Sequence, residues 1–301
     1  MRITGHVQGI WVPMITPFRN GEPDLDALAR LTVEFAAAGV HGLVVCGTTG
    51  EAATLREEEQ MEVLCTVLDA AGPLPVMMGL AGADTEAVSR RAAHLGDQPL
   101  AGLLVSAPYY VRPSQQGILQ HYRSIAAATD HSIVLYNVPA RTGVNIEPAT
   151  AMRLAQDSRF VAIKEAGGIL QQVQELLAHT ALDVLAGDDS LLLPTLCAGG
   201  HGAISAAAHI RPDLFVRLYR LVQSGHLPEA QQLFRQLLPV IRLLFTEPNP
   251  APLKAAMAML GKAGNELRLP MTAMSAAGQS NLSRALEAVM ALPCAEQLEA
   301  A

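Results

Sequence analysis

The feature that most limits how this chain can fold is a series of short apolar runs separated by amphipathic stretches. Each run is rich in Val, Ile and Leu and ends in small or polar residues, and each gap is long enough for a helix. Runs this apolar are typical of strands that are covered on both faces, as in a parallel sheet. The eight runs are Gly9–Thr16, Gly42–Cys46, Pro75–Gly79, Ala101–Ser106, Ser132–Tyr136, Phe160–Ile163, Asp183–Ala186 and Gly202–Ser205.

The gaps between the runs carry helix signals. In the first gap, Asp24 can cap a helix whose apolar side carries Leu28, Leu31 and Phe35, and Gly39 can end it. Eight strand-then-helix units predict an α/β protein whose sheet closes as a (β/α)8 barrel, the TIM-barrel fold. A doubly wound open sheet is the main alternative, but the chain lacks the GxGxxG and GxxxxGK[ST] phosphate loops that are usual in that architecture.

The strand pattern stops after about Pro212, and the remaining chain has the periodicity of helices. The predicted helices are Leu214–Ser224, Pro228–Phe245, Pro252–Leu260 and Asn281–Leu292. We therefore expect a barrel over residues 1–212 and a C-terminal helical region over residues 213–301 that packs on it without a flexible linker.

Lysine usage singles out one position. Of the 21 Lys and Arg residues only Lys164, Lys254 and Lys262 are lysines, and the last two lie in the helical region, where a solvated surface position is expected. Lys164 instead ends the sixth run, which would place it at the mouth of the barrel, where barrel enzymes carry their chemistry. Only Lys can lose its proton and act as a nucleophile, and burial lowers a lysine pKa in that direction. The alternative is a structural lysine paired with Glu165 or Asp188.

Other strand ends carry groups that suit carbonyl chemistry. Tyr109, Tyr110 and Tyr136 follow or end the fourth and fifth runs, and a phenol can both donate and accept a proton, although core packing is the alternative. The glycine-flanked turn Gly47–Glu51 follows the second run, and its amides can form a nest for a carboxylate. Arg141 offers a planar fork for a second carboxylate, unless it lies on a solvated loop.

Charge and composition narrow the class of partner. The net charge is −7 with no basic cluster, which argues against nucleic acid and anionic membranes, and no run is long enough to cross a bilayer. The four scattered cysteines indicate a reducing compartment, so we expect a cytoplasmic protein. No metal is expected, because the dispersed histidines, including His201 and His209, have no acidic or Cys partner at ligand spacing. A soluble enzyme for small molecules fits best.

Several short motifs occur in order between about Gly9 and Leu269. They are Ile15–Phe18, Gly47–Glu51, Pro108–Tyr110, Tyr136–Gly143, Ile163–Ala166, Gly187–Asp189, Gly202–Ser205 and Glu247–Lys254. With these motifs the chain resembles the dihydrodipicolinate synthase family, in the pyruvate-dependent class I aldolase superfamily that includes N-acetylneuraminate lyase. The resemblance implies a lyase of lysine and diaminopimelate biosynthesis that condenses pyruvate with L-aspartate 4-semialdehyde to 4-hydroxy-tetrahydrodipicolinate.

The resemblance also implies catalytic roles and an assembly. Lys164 would form the Schiff base with pyruvate, and Tyr136, Thr48 and Tyr110 would relay protons. Tyr110 would reach into the site of a neighbouring subunit, so a dimer would be the minimum working unit. The family is typically a homotetramer of two such dimers, and it uses no cofactor.

Four further positions are implied to bind the substrates. Thr49 and the backbone at Ile204 would hold pyruvate, and Gly187 would leave room beside it. Arg141 would bind the carboxylate of aspartate semialdehyde, which points to the synthase branch of the superfamily.

The departures from the family pattern include two stretches at the ends of the sixth and eighth runs. Lys164–Ile169 stands where Lys-Glu-Ala-Ser/Thr-Gly-Asp is common, and Ile204–His209 stands where Ile-Ser-Val-Thr-Ala-Asn is usual. The Lys and Tyr chemistry is untouched, but a paralogous pyruvate or 2-keto-acid aldolase, or a dehydratase, acting on another aldehyde or sugar acid stays open as the alternative. A non-catalytic barrel that binds a keto acid is a remote third reading, which the intact set of four catalytic candidates opposes.

Overall fold

All eight predicted runs form β-strands. The computed structural model describes residues 6–294, and every strand below is buried along almost its whole length. The strands are β1 Gly9–Pro13, β2 Gly42–Val45, β3 Val76–Leu80, β4 Gly102–Ser106, β5 Ile133–Asn137, β6 Phe160–Glu165, β7 Asp183–Ala186 and β8 Gly202–Ile204.

The strands form a closed barrel in which each is hydrogen-bonded to its neighbours in chain order and β8 lies next to β1. The predicted (β/α)8 barrel is therefore confirmed, and the open doubly wound sheet is wrong. At the β8–β1 junction the Gly9 amide donates to the His201 carbonyl over 2.8 Å. A Cβ on Gly202 would lie 2.0 Å from the Gly9 carbonyl oxygen, so only glycine permits this approach.

Helices follow the strands around the barrel. They are α1 Leu25–Ala37, α2 Glu57–Ala71, α3 Thr85–His94, α4 Gln115–Ala127, α5 Pro139–Thr142, α6 Pro148–Leu154, α7 Leu170–His179 and α8 Leu192–Cys197. The first helix forms as predicted: Asp24 accepts a hydrogen bond from the Ala27 amide at its start. Its Leu28, Leu31 and Phe35 side chains are buried, because they share one face at helical spacing.

The C-terminal part is helical, as predicted. Its helices are α9 Pro212–Gln223, α10 Leu227–Leu243, α11 Ala251–Met259 and α12 Ala276–Met290. None of the helices within residues 6–294 combines the length and apolarity that a membrane span requires.

Contacts group the chain into two compact units. One comprises Pro75–Ile204 with the segment ending at Gly9, and it contains strands β3 to β8. The other comprises Ile10–Leu74 with the segment that begins at Ser205, and it contains β2, α1, α2 and helices α9 to α12. The expected division of the chain at residue 212 stays a prediction.

Candidate active site

Lys164 and Tyr136 lie side by side on two neighbouring strands. They are register partners in the parallel β5–β6 pair, so their side chains emerge on the same face of the sheet. Lys164 Nζ lies 4.4 Å from the centroid of the Tyr136 ring, and the two residues are only 6% and 8% exposed. The structure thus brings together the amine and the phenol that the strand ends predicted.

The carboxylates that could have paired with Lys164 are engaged elsewhere. Glu165 follows Lys164 on the strand and therefore points to the opposite face. Asp188 accepts a hydrogen bond from the Ser190 amide over 2.9 Å at the start of a short helix. Across the described range 6–294 no carboxylate lies within 4.0 Å of Lys164 Nζ, so the amine is not committed to a structural ion pair.

A buried polar network behind the pair holds β5 and β6 in register. Asn137 Nδ2 donates to both carboxylate oxygens of Glu165 over 3.1 and 2.9 Å, and Gln172 Nε2 donates to Oε2 over 2.9 Å. Burial raises the pKa of Glu165, while the bonds from Asn137, the Gly167 amide and Gln172 oppose that rise. Asn137 and Glu165 are the direct neighbours of Tyr136 and Lys164, so this network stabilises the strand pairing on which the amine–phenol distance depends.

Gly187 and Ile204 lie at the carboxyl ends of the next two strands. A Cβ at Gly187 would come within 2.9 Å of Lys164 Cγ and 2.7 Å of Ala166 Cβ, so any side chain there would crowd the lysine. Ile204 is the last residue of β8 and is 1% exposed.

The turn Gly47–Glu51 follows β2 after one residue, Cys46. Thr48 is half-buried and Thr49 is 4% exposed, and the Thr49 hydroxyl accepts a hydrogen bond from Asn249 Nδ2 over 3.1 Å. Sequence reasoning did not identify Asn249, because a contact across 200 residues leaves no trace in local spacing.

Tyr110 and Arg141 belong to neighbouring exposed segments. The Tyr110 amide donates to the Thr142 carbonyl at the end of α5 over 3.2 Å, which ties the loop after β4 to the helix that carries Arg141. Tyr110 is 89% exposed and has a φ of +71°, a left-handed conformation that bulky residues rarely adopt. Such strain is kept where surrounding structure or function requires it.

The expectation that Lys254 is a solvated surface residue is wrong. Its side chain is fully buried, and it forms an ion pair with Glu51 and donates to the Glu266 carbonyl over 2.8 Å. Burial lowers the pKa of Lys254 and the Glu51 carboxylate opposes that shift. Lys262 is partly exposed and pairs with Glu34. Both Lys164 and Lys254 are therefore buried, and they differ in that Lys254 has a carboxylate counter-ion.

The statement that His201 lacks an acidic partner is also wrong in three dimensions. His201 Nε2 and His6 Nδ1 lie 3.3 and 2.8 Å from Asp183 Oδ1, at the amino ends of β7 and β8. The Val184 amide donates to His201 Nδ1 over 3.1 Å, so Nε2 carries the proton that it shares with Asp183. A metal-bound histidine usually donates from its second nitrogen, so this arrangement suits a hydrogen-bonded cluster.

Comparison with known proteins identifies relatives along almost the whole chain. Residues 6–289 match the model of the dihydrodipicolinate synthetase family. The 4-hydroxy-tetrahydrodipicolinate synthase of Syntrophobacter fumaroxidans is 42% identical, with 93% of this chain and 98% of the relative covered. The enzyme of the same name from Magnetococcus marinus is 41% identical, with coverage of 93% and 97%.

A solved structure agrees with these relatives. The crystal structure of dihydrodipicolinate synthase from Thermotoga maritima superposes with a TM-score of 0.92 and 37% sequence identity. The match covers 95% of this chain and 99% of that one.

Proposed function

The chain belongs to the dihydrodipicolinate synthetase family, and from that premise we propose that it is a 4-hydroxy-tetrahydrodipicolinate synthase. It condenses pyruvate with L-aspartate 4-semialdehyde as a class I aldolase-type lyase of lysine and diaminopimelate biosynthesis. The observation that carries the proposal is the buried Lys164 amine, which has Tyr136 beside it and no counter-ion within the described residues.

The proposed reaction begins with a covalent step on Lys164. Its unprotonated Nζ attacks the ketone carbon of pyruvate, and loss of water leaves a protonated imine. The imine withdraws electrons, so the pyruvate methyl group loses a proton to a base and becomes an enamine carbon. That carbon attacks the aldehyde of the semialdehyde, and the new oxygen takes up a proton. The amino group of the semialdehyde then attacks the imine carbon and displaces Lys164 Nζ, which closes the ring and releases the product. Tyr136 stands beside Lys164 Nζ and is the proposed proton carrier for these steps.

The remaining roles rest on the family resemblance together with local geometry. Thr48 and Tyr110 complete the proton relay, Thr49 and the Ile204 backbone hold pyruvate, and Gly187 leaves space beside Lys164. No cofactor enters this scheme, because the imine itself supplies the electron sink. The cytoplasm is the proposed location, since the cysteines form no disulfide within residues 6–294.

The test of the proposal is turnover. The purified protein is assayed with pyruvate and each of a panel of aldehydes, and the rate is measured as formation of the cyclic product or as loss of pyruvate. We expect the highest kcat/KM with L-aspartate 4-semialdehyde. If another aldehyde or sugar acid is preferred and the semialdehyde is not turned over, the protein is a paralogous aldolase and the synthase assignment fails.

Arg141→Lys is expected to raise the KM for aspartate semialdehyde by about tenfold to a hundredfold and to leave the KM for pyruvate nearly unchanged. A guanidinium can bind a carboxylate through two parallel bonds, which an ammonium cannot reproduce, and a hydrogen bond to a charged group contributes about 1.5–3 kcal/mol. Steady-state kinetics with each substrate varied in turn measures this split. Arg153→Lys, at an exposed arginine that bonds Gln116, is the matched control and should change neither KM. Equal increases in both values for Arg141→Lys would contradict the assignment.

Tyr110 is proposed to act across a subunit interface in a homotetramer built from two dimers. Tyr110 projects from a loop in which Tyr109 and Val111 are also exposed, by 45% and 56%, and apolar side chains grouped on a surface favour association. Tyr110→Phe is expected to lower kcat while sedimentation still shows the oligomer, because only the hydroxyl is removed. Tyr109→Phe is the control in the same loop and should retain full kcat. A fully active monomer at low protein concentration would contradict the proposal.

A further inference from the structure

The segment Glu247–Lys254 is a family motif to which no role has been assigned. It leads from α10 into α11, and two of its side chains, Asn249 and Lys254, reach the turn Gly47–Glu51. Both contacts join residues about 200 positions apart in the chain, yet they converge on a single turn of five residues.

The turn Gly47–Glu51 has a conformation that its own sequence does not favour. Glu51 has a φ of +52° and Cys46, directly before the turn, has a φ of +53°, both in the left-handed region. Left-handed backbone at a residue other than glycine costs about 1–3 kcal/mol and persists only when the surrounding structure holds it. Part of that support comes from Thr16, whose hydroxyl donates to the Gly50 carbonyl over 2.7 Å.

Asn249 determines how the Thr49 hydroxyl is oriented. Asn249 Nδ2 donates to Thr49 Oγ1 over 3.1 Å, and both residues are at least nine-tenths buried. A hydroxyl that accepts one bond from an amide still has its own proton to donate. Within residues 6–294 Thr49 Oγ1 makes no other side-chain hydrogen bond, so that proton is available to an acceptor such as a carboxylate oxygen.

Lys254 holds the far end of the same turn. Its Nζ forms the buried ion pair with Glu51 and lies 4.1 Å from the centroid of the Phe18 ring. The Glu51 carboxylate also accepts the Arg268 amide over 3.3 Å. These contacts fix the side chain of the left-handed Glu51, and through it the backbone that follows Thr49.

We propose that Asn249 and Lys254 are positioning residues for substrate binding, which hold the turn Gly47–Glu51 so that the Thr49 hydroxyl donates to the pyruvate carboxylate. The inference rests on the proposed function, because it takes pyruvate as the ligand of Thr49. Neither residue touches the reacting carbonyl carbon, so their removal should weaken pyruvate binding far more than it slows the covalent steps.

The first experiment is a double-mutant cycle between Asn249 and Thr49. The first readout is the pyruvate concentration that half-saturates trapping of the Schiff base with borohydride. Asn249→Ala and Thr49→Val should each raise this concentration by about tenfold. The kcat at saturating pyruvate should change by less than about threefold. The double variant should match Thr49→Val alone, because Asn249 acts through the Thr49 hydroxyl. An unchanged half-saturation in Asn249→Ala, or effects that multiply in the double variant, would overturn the inference.

The second experiment separates positioning from stability. Lys254→Met leaves the buried Glu51 carboxylate without its lysine counter-ion, so it should lower Tm and raise the half-saturating pyruvate concentration. Adding Glu51→Gln removes that buried charge and should restore most of the Tm, while the half-saturating pyruvate concentration stays raised. If both the Tm and the half-saturating pyruvate concentration return to wild-type values, the ion pair is only structural and the positioning role of Lys254 is rejected. Lys262→Met breaks the partly exposed pair with Glu34 and is the matched control, expected to keep the wild-type pyruvate value.

The wild-type protein separates failure of this inference from failure of the proposed function. If pyruvate and borohydride leave no adduct on Lys164 in the wild type, the proposed function fails and the positioning role fails with it. If the wild type is trapped but Asn249→Ala saturates like the wild type, only the positioning role is rejected.

Discussion

Lys164→Arg is expected to abolish both turnover and the adduct that pyruvate and borohydride leave on the wild-type protein. Arginine keeps the positive charge and nearly the length of lysine, but its guanidinium stays protonated at accessible pH and cannot attack a ketone. Without the imine there is no electron sink for the pyruvate methyl group, so the whole sequence of steps stops. Peptide mass spectrometry after reduction reports the adduct, and a coupled assay reports turnover.

The other two lysines supply the controls for this experiment. Lys262→Arg can keep the ion pair with Glu34 and should be trapped at Lys164 like the wild type. Lys254 is more deeply buried than Lys164 but is paired with Glu51, so it should carry no adduct. An adduct on Lys254 or Lys262 in the Lys164→Arg variant would refute the assignment of Lys164 as the nucleophile. Circular dichroism should show that the variant is folded.

Tyr136→Phe should lower kcat by about 10²–10⁴ while the fold is preserved, because a positioned acid–base group is worth that much and the ring that packs against Lys164 remains. Without the Tyr136 hydroxyl, water has to carry each proton. Stopped-flow or steady-state measurement of kcat, together with Tm, separates the chemical effect from a folding effect.

Tyr122→Phe is the matched control for Tyr136→Phe. Tyr122 is fully buried, and its hydroxyl donates to the Val105 carbonyl over 3.0 Å in the body of the barrel. Burial raises the pKa of this phenol, and a hydrogen bond from the Tyr136 backbone opposes that rise. Removal of the Tyr122 hydroxyl should cost about 0.5–1.5 kcal/mol of unfolding free energy, the net contribution of one hydrogen bond, and should change kcat far less than Tyr136→Phe does. If Tyr136→Phe behaves like Tyr122→Phe, then Tyr136 is packing and not a proton carrier.

Local sequence was sufficient to predict the barrel and the neighbouring amine and phenol of Lys164 and Tyr136. The runs that became β1 to β8 are recognisable because strands covered on both faces must be apolar along their whole length. Lys164 is recognisable because a charged residue at the end of such a run breaks that rule at the place where barrels carry their chemistry. Tyr136 follows from the same argument on the preceding strand, and the parallel register makes the two residues partners.

The sequence also contains a local signal for a short hairpin outside the barrel. Asn20 and Gly21 have φ values of +55° and +83° and join a short antiparallel hairpin, Phe18–Arg19 with Glu22–Pro23. The Asn-Gly pair is a strong hairpin signal, because a type I′ turn requires positive φ at both central positions.

Other features were decided only by the tertiary structure, because they depend on residues far apart in the chain. A lysine in the predicted helix Pro252–Leu260 is expected to be solvated, yet folding places the Lys254 amine against Glu51 with no exposure at all. His201 meets Asp183 only because β7 and β8 are neighbours in the barrel. The Asn249–Thr49 bond likewise joins one turn to another across 200 residues. Periodicity reports which face of an element is buried, whereas the identity of the partner across that face is set by how the elements pack.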